Sequence, residues 1–203
     1  MAVEYASPSR DVQRIALEGF QQIVRFAPHG MAGAEGTLIM PATDLTLSAP
    51  HWVHPVGLDH LVARQPLTEL AVTGWRFLVL AEGGAVASAE VPVGAGKPSV
   101  LEQVNVGPYV QSTALALQTL DEIPEVRSGR YEPHIVKISE LSTILLWLCQ
   151  LDGDDHLFTA LSPAPAFLET GRIYREDELL GVLEGPARRA FDESLPDAYG
   201  SGS

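Results

Sequence analysis

"GWRFLVLAEGGAVASAEVPV", residues 74–93, decides the fold. Trp75, Phe77 and Val79 alternate with Arg76 and Leu78, the period of two that turns alternate side chains to opposite faces of a strand. Gly83-Gly84 then supplies the positive-φ positions of a tight turn. The stretch predicts a β-hairpin with arms over 75–82 and 85–93. A hairpin is antiparallel, and no regular strand–helix–strand alternation surrounds this one, so the sheet it belongs to should be mainly antiparallel.

Helices flank that hairpin. Val12, Ile15, Ala16, Phe20, Ile23 and Val24 recur at helical spacing over 9–27, with Arg10, Gln13, Arg14, Gln21 and Arg25 on the other side. Ser7 or Ser9 caps the start and Pro28 ends it. "GPYVQSTALALQTLDEIP" reads as a second helix with Pro108 at its first position, where the missing N–H costs nothing. "YEPHIVKI" reads as a strand. "SELSTILLWLCQL" is too densely apolar for periodicity to decide: Leu141, Ile144, Leu145 and Leu148 fit a helix, with a buried strand as the other reading. "DGDD" at 152–155 is a turn and "HLFTALSP" a strand. The C-terminal Leu179, Leu180, Leu183, Ala187, Ala190 and Phe191 follow helical spacing, and Gly185-Pro186 should divide them into two short helices or kink one. The expected fold class is therefore α+β, a mainly antiparallel sheet with an N-terminal helix, a central helix and C-terminal helices. One domain is expected over 1–199, with "GSGS" at 200–203 a linker or disordered tail.

Composition narrows the function. A chain of 203 residues with 46% hydrophobic and 19% charged residues can bury a core without a disulfide or a metal. Its one cysteine, Cys149, excludes an internal disulfide and lies among large apolar residues that keep a thiol inert. No membrane span or secretory leader is read, so a soluble cytoplasmic protein is expected. The formal charge is −13, with Lys97 and Lys137 the only lysines. Nucleic-acid binding and anionic membrane surfaces are both disfavoured by that balance. From Asp152 onward eleven carboxylates face four arginines. Asp152, Asp154, Asp155, Glu176, Asp177 and Glu178 are thus candidate partner-binding residues for a protein with a basic surface, or simply a solubilising face.

One local cluster invites chemistry. "HWVHPVGLDH", residues 51–60, holds three of the six histidines and Asp59. Imidazole and carboxylate are zinc-ligand types, and a catalytic zinc takes three protein ligands; His51, His54 and His60 are the candidate metal ligands, with help from His134 or His156. Pro50 and Pro55 bracket the first pair and argue against a helix across it, so the plain reading is a loop that holds histidines. Trp52 in that loop is a candidate binding anchor. "GAGKPS" at 94–99 fails as a phosphate loop, because position 91 is Val and Pro98 follows Lys97. "DGDD" lacks the Gly and Glu positions of a calcium loop. With no Gly-x-Ser-x-Gly or His-Glu-x-x-His motif, the sequence points to a non-catalytic protein-interaction module that docks onto another protein or within a larger assembly, with no cofactor. A metal-dependent enzyme on the 51–60 histidines and a small-molecule-binding domain are the alternatives. Oligomeric state is left open.

Overall fold

The computed structural model describes residues 3–26, 31–33, 36–38, 44–82, 84–94 and 100–194. In chain order these form α1 (Arg10–Phe26), β1 (Met31–Gly33), β2 (Gly36–Leu38), β3 (Thr46–Pro55), α2 (Leu58–Val62), β4 (Gly74–Ala81), β5 (Gly84–Pro92), β6 (Gln103–Asn105), α3 (Pro108–Thr119), α4 (Pro124–Arg127), β7 (Tyr131–Ile138), β8 (Thr143–Gln150), β9 (Leu157–Ala160), β10 (Tyr174–Arg175) and α5 (Glu176–Ser194). β1 and β2 pair only with each other. The other eight strands make one sheet in the order β10-β9-β8-β7-β3-β4-β5-β6, and every pairing in it is antiparallel except β3 with β7. The class is α+β, as the 74–93 hairpin predicts. Gly83, "GAGKPS" beyond Gly94 and the 200–203 tail lie outside the described residues.

The order of elements shows why one parallel pair is present. The chain runs twice through a helix and then a four-stranded antiparallel meander, first α1 with β3–β6 and then α3 and α4 with β7–β10. The leading strands of the two meanders meet in the middle of the sheet. α1 buries Val12, Ala16 and Phe20 against Trp75, Phe77, Val79, Ala87, Ala89 and Val91. Those strand residues share one face, since 75 pairs with 91, 77 with 89 and 79 with 87. α2 and α5 cover the same face further along, placing Leu58, Leu61, Leu179, Leu180 and Leu183 on Val136, Leu145, Trp147 and Phe158. The opposite face packs Leu120 and Val126 against Tyr131, Ile135, Leu146, Leu148 and Leu157. The sheet is therefore covered by helices on both faces, and β8 is apolar on both sides.

That double burial corrects two sequence expectations. Residues 143–150 are a strand, not the helix that Leu141, Ile144, Leu145 and Leu148 suggested. β8 lies between β7 and β9 with a covered face on each side, which removes the alternation that would have marked it. Residues 46–55 form a ten-residue strand although Pro50 and Pro55 fall inside it. The register with β4 slips between Ser48 and His51, and Ala49 takes φ 49°, so Pro50 sits in a bulge where no ladder N–H is required. Pro55 is the strand's last residue. Of the two alternatives for α5, the undivided one holds: it continues as one helix through Pro186. Leu179, Leu180, Leu183 and Ala187 pin both sides of the proline to the sheet, which offsets the hydrogen bond it cannot make.

α1 follows its expectation closely. The Val12 N–H donates to Ser9 Oγ at 3.4 Å, a cap worth about 1 kcal/mol. Arg14 pairs with Glu18 one turn on at 3.0 Å. In its last turns Ile23 and Phe26 are exposed.

Candidate functional site

Odd spacing along β3 separates the histidines that the sequence groups together: His51 and His54 are three residues apart on a strand and so turn to opposite faces. His51 pairs with Arg76 and lies on the face opposite Trp52 and His54, which stand in register with β7 residues His134 and Val136. His60 is on α2, and its Nε2 meets the Pro66 carbonyl at 3.0 Å. The structure therefore does not bring His51, His54 and His60 to one point, and among the described residues no group of three His, Cys, Asp or Glu side chains is placed to hold a metal ion.

Each of the two separated histidines instead joins a different polar cluster. His51 is fully buried. Its Nδ1–H donates to the Ala49 carbonyl at 2.6 Å, and its Nε2 has no partner. Burial first, and the neighbouring Arg76 charge second, push its pKa down to about 3. Beside it Arg76 Nε donates to Glu90 Oε1 at 2.8 Å inside the protein. Lys137 Nζ reaches the other Glu90 oxygen at 3.1 Å and Gln103 Oε1 at 3.1 Å, and Asn105 Nδ2 donates to Glu90 Oε1 at 3.2 Å. Burial alone would raise the Glu90 carboxyl, but Arg76 and Lys137 outweigh it and hold it below its usual value. The cluster ties β4, β5, β6 and β7 together through one carboxylate.

On the other face runs a row of hydrogen bonds. His54 Nδ1 meets the Leu70 carbonyl at 3.1 Å, His54 Nε2 meets His134 Nδ1 at 2.9 Å, and His134 Nε2 meets Glu132 Oε1 at 2.8 Å. Three such contacts need three protons, and two neutral imidazoles carry only two. The Leu70 carbonyl can only accept, so His54 donates from Nδ1, and His134 then donates from Nδ1 to His54 Nε2. The third proton sits either on Glu132, as a carboxylic acid, or on His134, as an imidazolium facing the carboxylate, and both forms satisfy every nitrogen. Burial raises the Glu132 carboxyl against the opposing pull of the Trp52 indole. Burial also drives the pKa of both His54 and His134 down to about 4, helped by His134 on the first and His156 on the second. Burial therefore favours the uncharged form of the row. Trp147 packs edge-on against both rings, 5.1 Å from His54 and 4.7 Å from His134. Chemically the row holds a proton. Neither imidazole has a nitrogen free for a metal or a substrate.

The remaining sequence candidates are placed as follows. Trp52 is half-buried, stacked on Trp75 with centroids 3.5 Å apart, and so does not stand free on a loop. Asp152 pairs with Arg130 at 3.1 Å, Asp155 pairs with Arg175, and Glu178 pairs with Arg172. Glu176 accepts the Thr68 N–H at 3.1 Å. Asp154 and Asp177 make no ion pair among the described residues. Cys149 is half-buried opposite Glu132 in the β7–β8 register, and burial, then that carboxyl, push its thiol up.

A surface feature that the sequence did not single out lies at the end of α1. A groove of about 590 Å³ runs along the helix, with Ile15, Gly19, Ile23, Phe26, Val100 and Leu101 among its walls. Phe26 is 84% exposed, Val100 59% and Ile23 39%. A Cβ on Gly19 would stand 2.7 Å from the Leu101 Cβ, so the glycine is what lets residues 100–101 lie against α1. The available signal was the helical wheel: Ile15, Gly19, Gln22 and Phe26 fall on a line beside the Val12–Ala16–Phe20 stripe. Among the described residues no helix is long and apolar enough to cross a membrane. No protein-family model matches the chain, and no curated protein or solved structure matches it.

Proposed function

We propose that this chain is a non-catalytic protein-interaction module that docks through the end of α1. The observation that carries the reading is Phe26, left 84% exposed beside a groove along the same helix whose walls mix Ile15, Ile23 and Leu101 with Arg14, Glu18 and Gln22. Covering a phenylalanine side chain is worth roughly 1.5–3 kcal/mol, and an aromatic group at the mouth of a pocket with a polar rim is the usual anchor of an interface. Arg14, Glu18 and Gln22 supply that rim. The two buried polar clusters support the reading from the other side, since their donors and acceptors are largely committed within the fold. The acidic residues favour a solubilising role, because Asp152, Asp155 and Glu178 already face arginines of the same chain.

The test compares the native chain with a Phe26→Ala plus Val100→Ala variant by size exclusion in extract of the source cells. The native chain should elute in a complex and the variant as a monomer, with both unfolding at the same denaturant concentration. A native chain that elutes alone, or a variant that elutes with the native complex, contradicts the reading.

A further inference from the structure

We propose that the partner seated on α1 is a second copy of the same chain, bound antiparallel across a two-fold axis. The inference rests on the docking role given to α1 above and adds the identity of the occupant. A two-fold interface must be self-complementary, one patch serving both sides. α1 meets that condition with a knob and a hole on one line of the helix. Phe26 is the knob, and the hole is the wall of Ile15, Gly19 and Leu101. Phe26 and Gly19 are two turns apart, roughly 10 Å at 1.5 Å per residue. Two helices crossing antiparallel between Gln21 and Gln22 bring each Phe26 to the level of position 17 of the other, between its groove walls Ile15 and Gly19.

Charge selects the same arrangement. The chain carries −13, so most faces of two copies repel. α1 is an exception, with Arg10, Arg14 and Arg25 against Asp11 and Glu18. Glu18 lines the groove, and Arg25 stands two turns further along on the same side of the helix. A two-fold axis perpendicular to both helices keeps that side facing itself, and the crossing that seats Phe26 also sets Arg25 of one copy against Glu18 of the other. Glu18 already accepts from Arg14 at 3.0 Å in its own helix, and its carboxylate has lone pairs left for a second donor.

Sedimentation velocity of the full chain over a concentration series tests this. The native chain should pass from monomer to dimer as concentration rises. Arg25→Glu, which sets two carboxylates opposite each other, should move the midpoint to at least about tenfold higher concentration, the effect of a 1.4 kcal/mol change. Exchanging both charges, Glu18→Arg with Arg25→Glu, should bring the midpoint back, which a merely destabilised helix would not do. A native chain that stays monomeric to its solubility limit overturns the proposal, as does a dimer whose midpoint ignores Arg25→Glu or is not restored by the exchange. A chain that is monomeric when pure yet joins a different protein in extract through Phe26 and Val100 removes the second copy and leaves the docking role. A chain that does neither removes both.

Discussion

Acid should unfold this protein in a pH window set by its buried histidines. His51, His54 and His134 are each almost inaccessible to water, and their folded pKa values are pushed down to about 3, 4 and 4. In the unfolded chain each titrates near 6.5. Between those values the unfolded state binds more protons, so stability falls as pH drops from 6.5 toward 4. From pH 7 to pH 5 the loss works out at about 2 kcal/mol per histidine, on the order of 5 kcal/mol for the three. That is a large part of the roughly 5–15 kcal/mol that holds a typical domain together. Glu132 acts in the opposite sense: its raised carboxyl binds its proton more tightly when folded, which offsets part of the loss. Glu90 adds nothing in this window, because its lowered carboxyl is lost only below the ordinary carboxylate range. The assay is urea unfolding at half-unit steps of pH, followed by tryptophan fluorescence. His51→Asn keeps a donor for the Ala49 carbonyl and cannot titrate, so it should remove about a third of the pH slope. A native stability unchanged between pH 7 and pH 5 would refute the assignment of three buried neutral histidines.

Three substitutions probe the rest of the fold. Glu132→Gln replaces a carboxylic acid by an amide that can still donate to His134 Nε2, so urea unfolding near neutrality should shift by less than about 1 kcal/mol. A loss of several kcal/mol would instead place an imidazolium–carboxylate pair there. Arg76→Ala leaves Glu90 buried with Lys137 as its remaining cation and should cost about 3–5 kcal/mol, the penalty of breaking a buried pair; a change under 1 kcal/mol in the same assay would mean that water reaches the cluster. Gly19→Ala drives a Cβ into Leu101 and should cost roughly 1–3 kcal/mol by overpacking, against the slight gain expected of alanine in an open helix site, and thermal melting distinguishes the two by sign.

What could be read from sequence followed apolar-and-polar contrast. α1 has one face on the core, and the 74–93 hairpin, buried on both faces, carries Arg76, Ser88 and Glu90 on one of them, so both keep a period and their bounds were legible to within a few residues. β8 has no such contrast, and its type is fixed only by its neighbours β7 and β9. β3 was hidden by Pro50, whose bulge is a tertiary accommodation without a local signature. Once 46–55 is a strand, the three-residue spacing of His51 and His54 puts them on opposite faces, so hiding the strand also hid their separation. The contact of His54 with His134 joins residues eighty positions apart and exists because β3 and β7 are parallel neighbours. Phe26 was missed for a simpler reason: nothing local to a phenylalanine at a helix end tells whether the fold covers it.

The docking role of α1 is tested most directly by photo-cross-linking from position 26. A photoreactive phenylalanine analogue placed there in the full chain, irradiated under native conditions, should yield one discrete adduct, and the same analogue at exposed Glu140 should not. An adduct of twice the chain's mass identifies a second copy, and any other discrete mass a different partner. No adduct from position 26, or equal yields from both positions, would contradict the account.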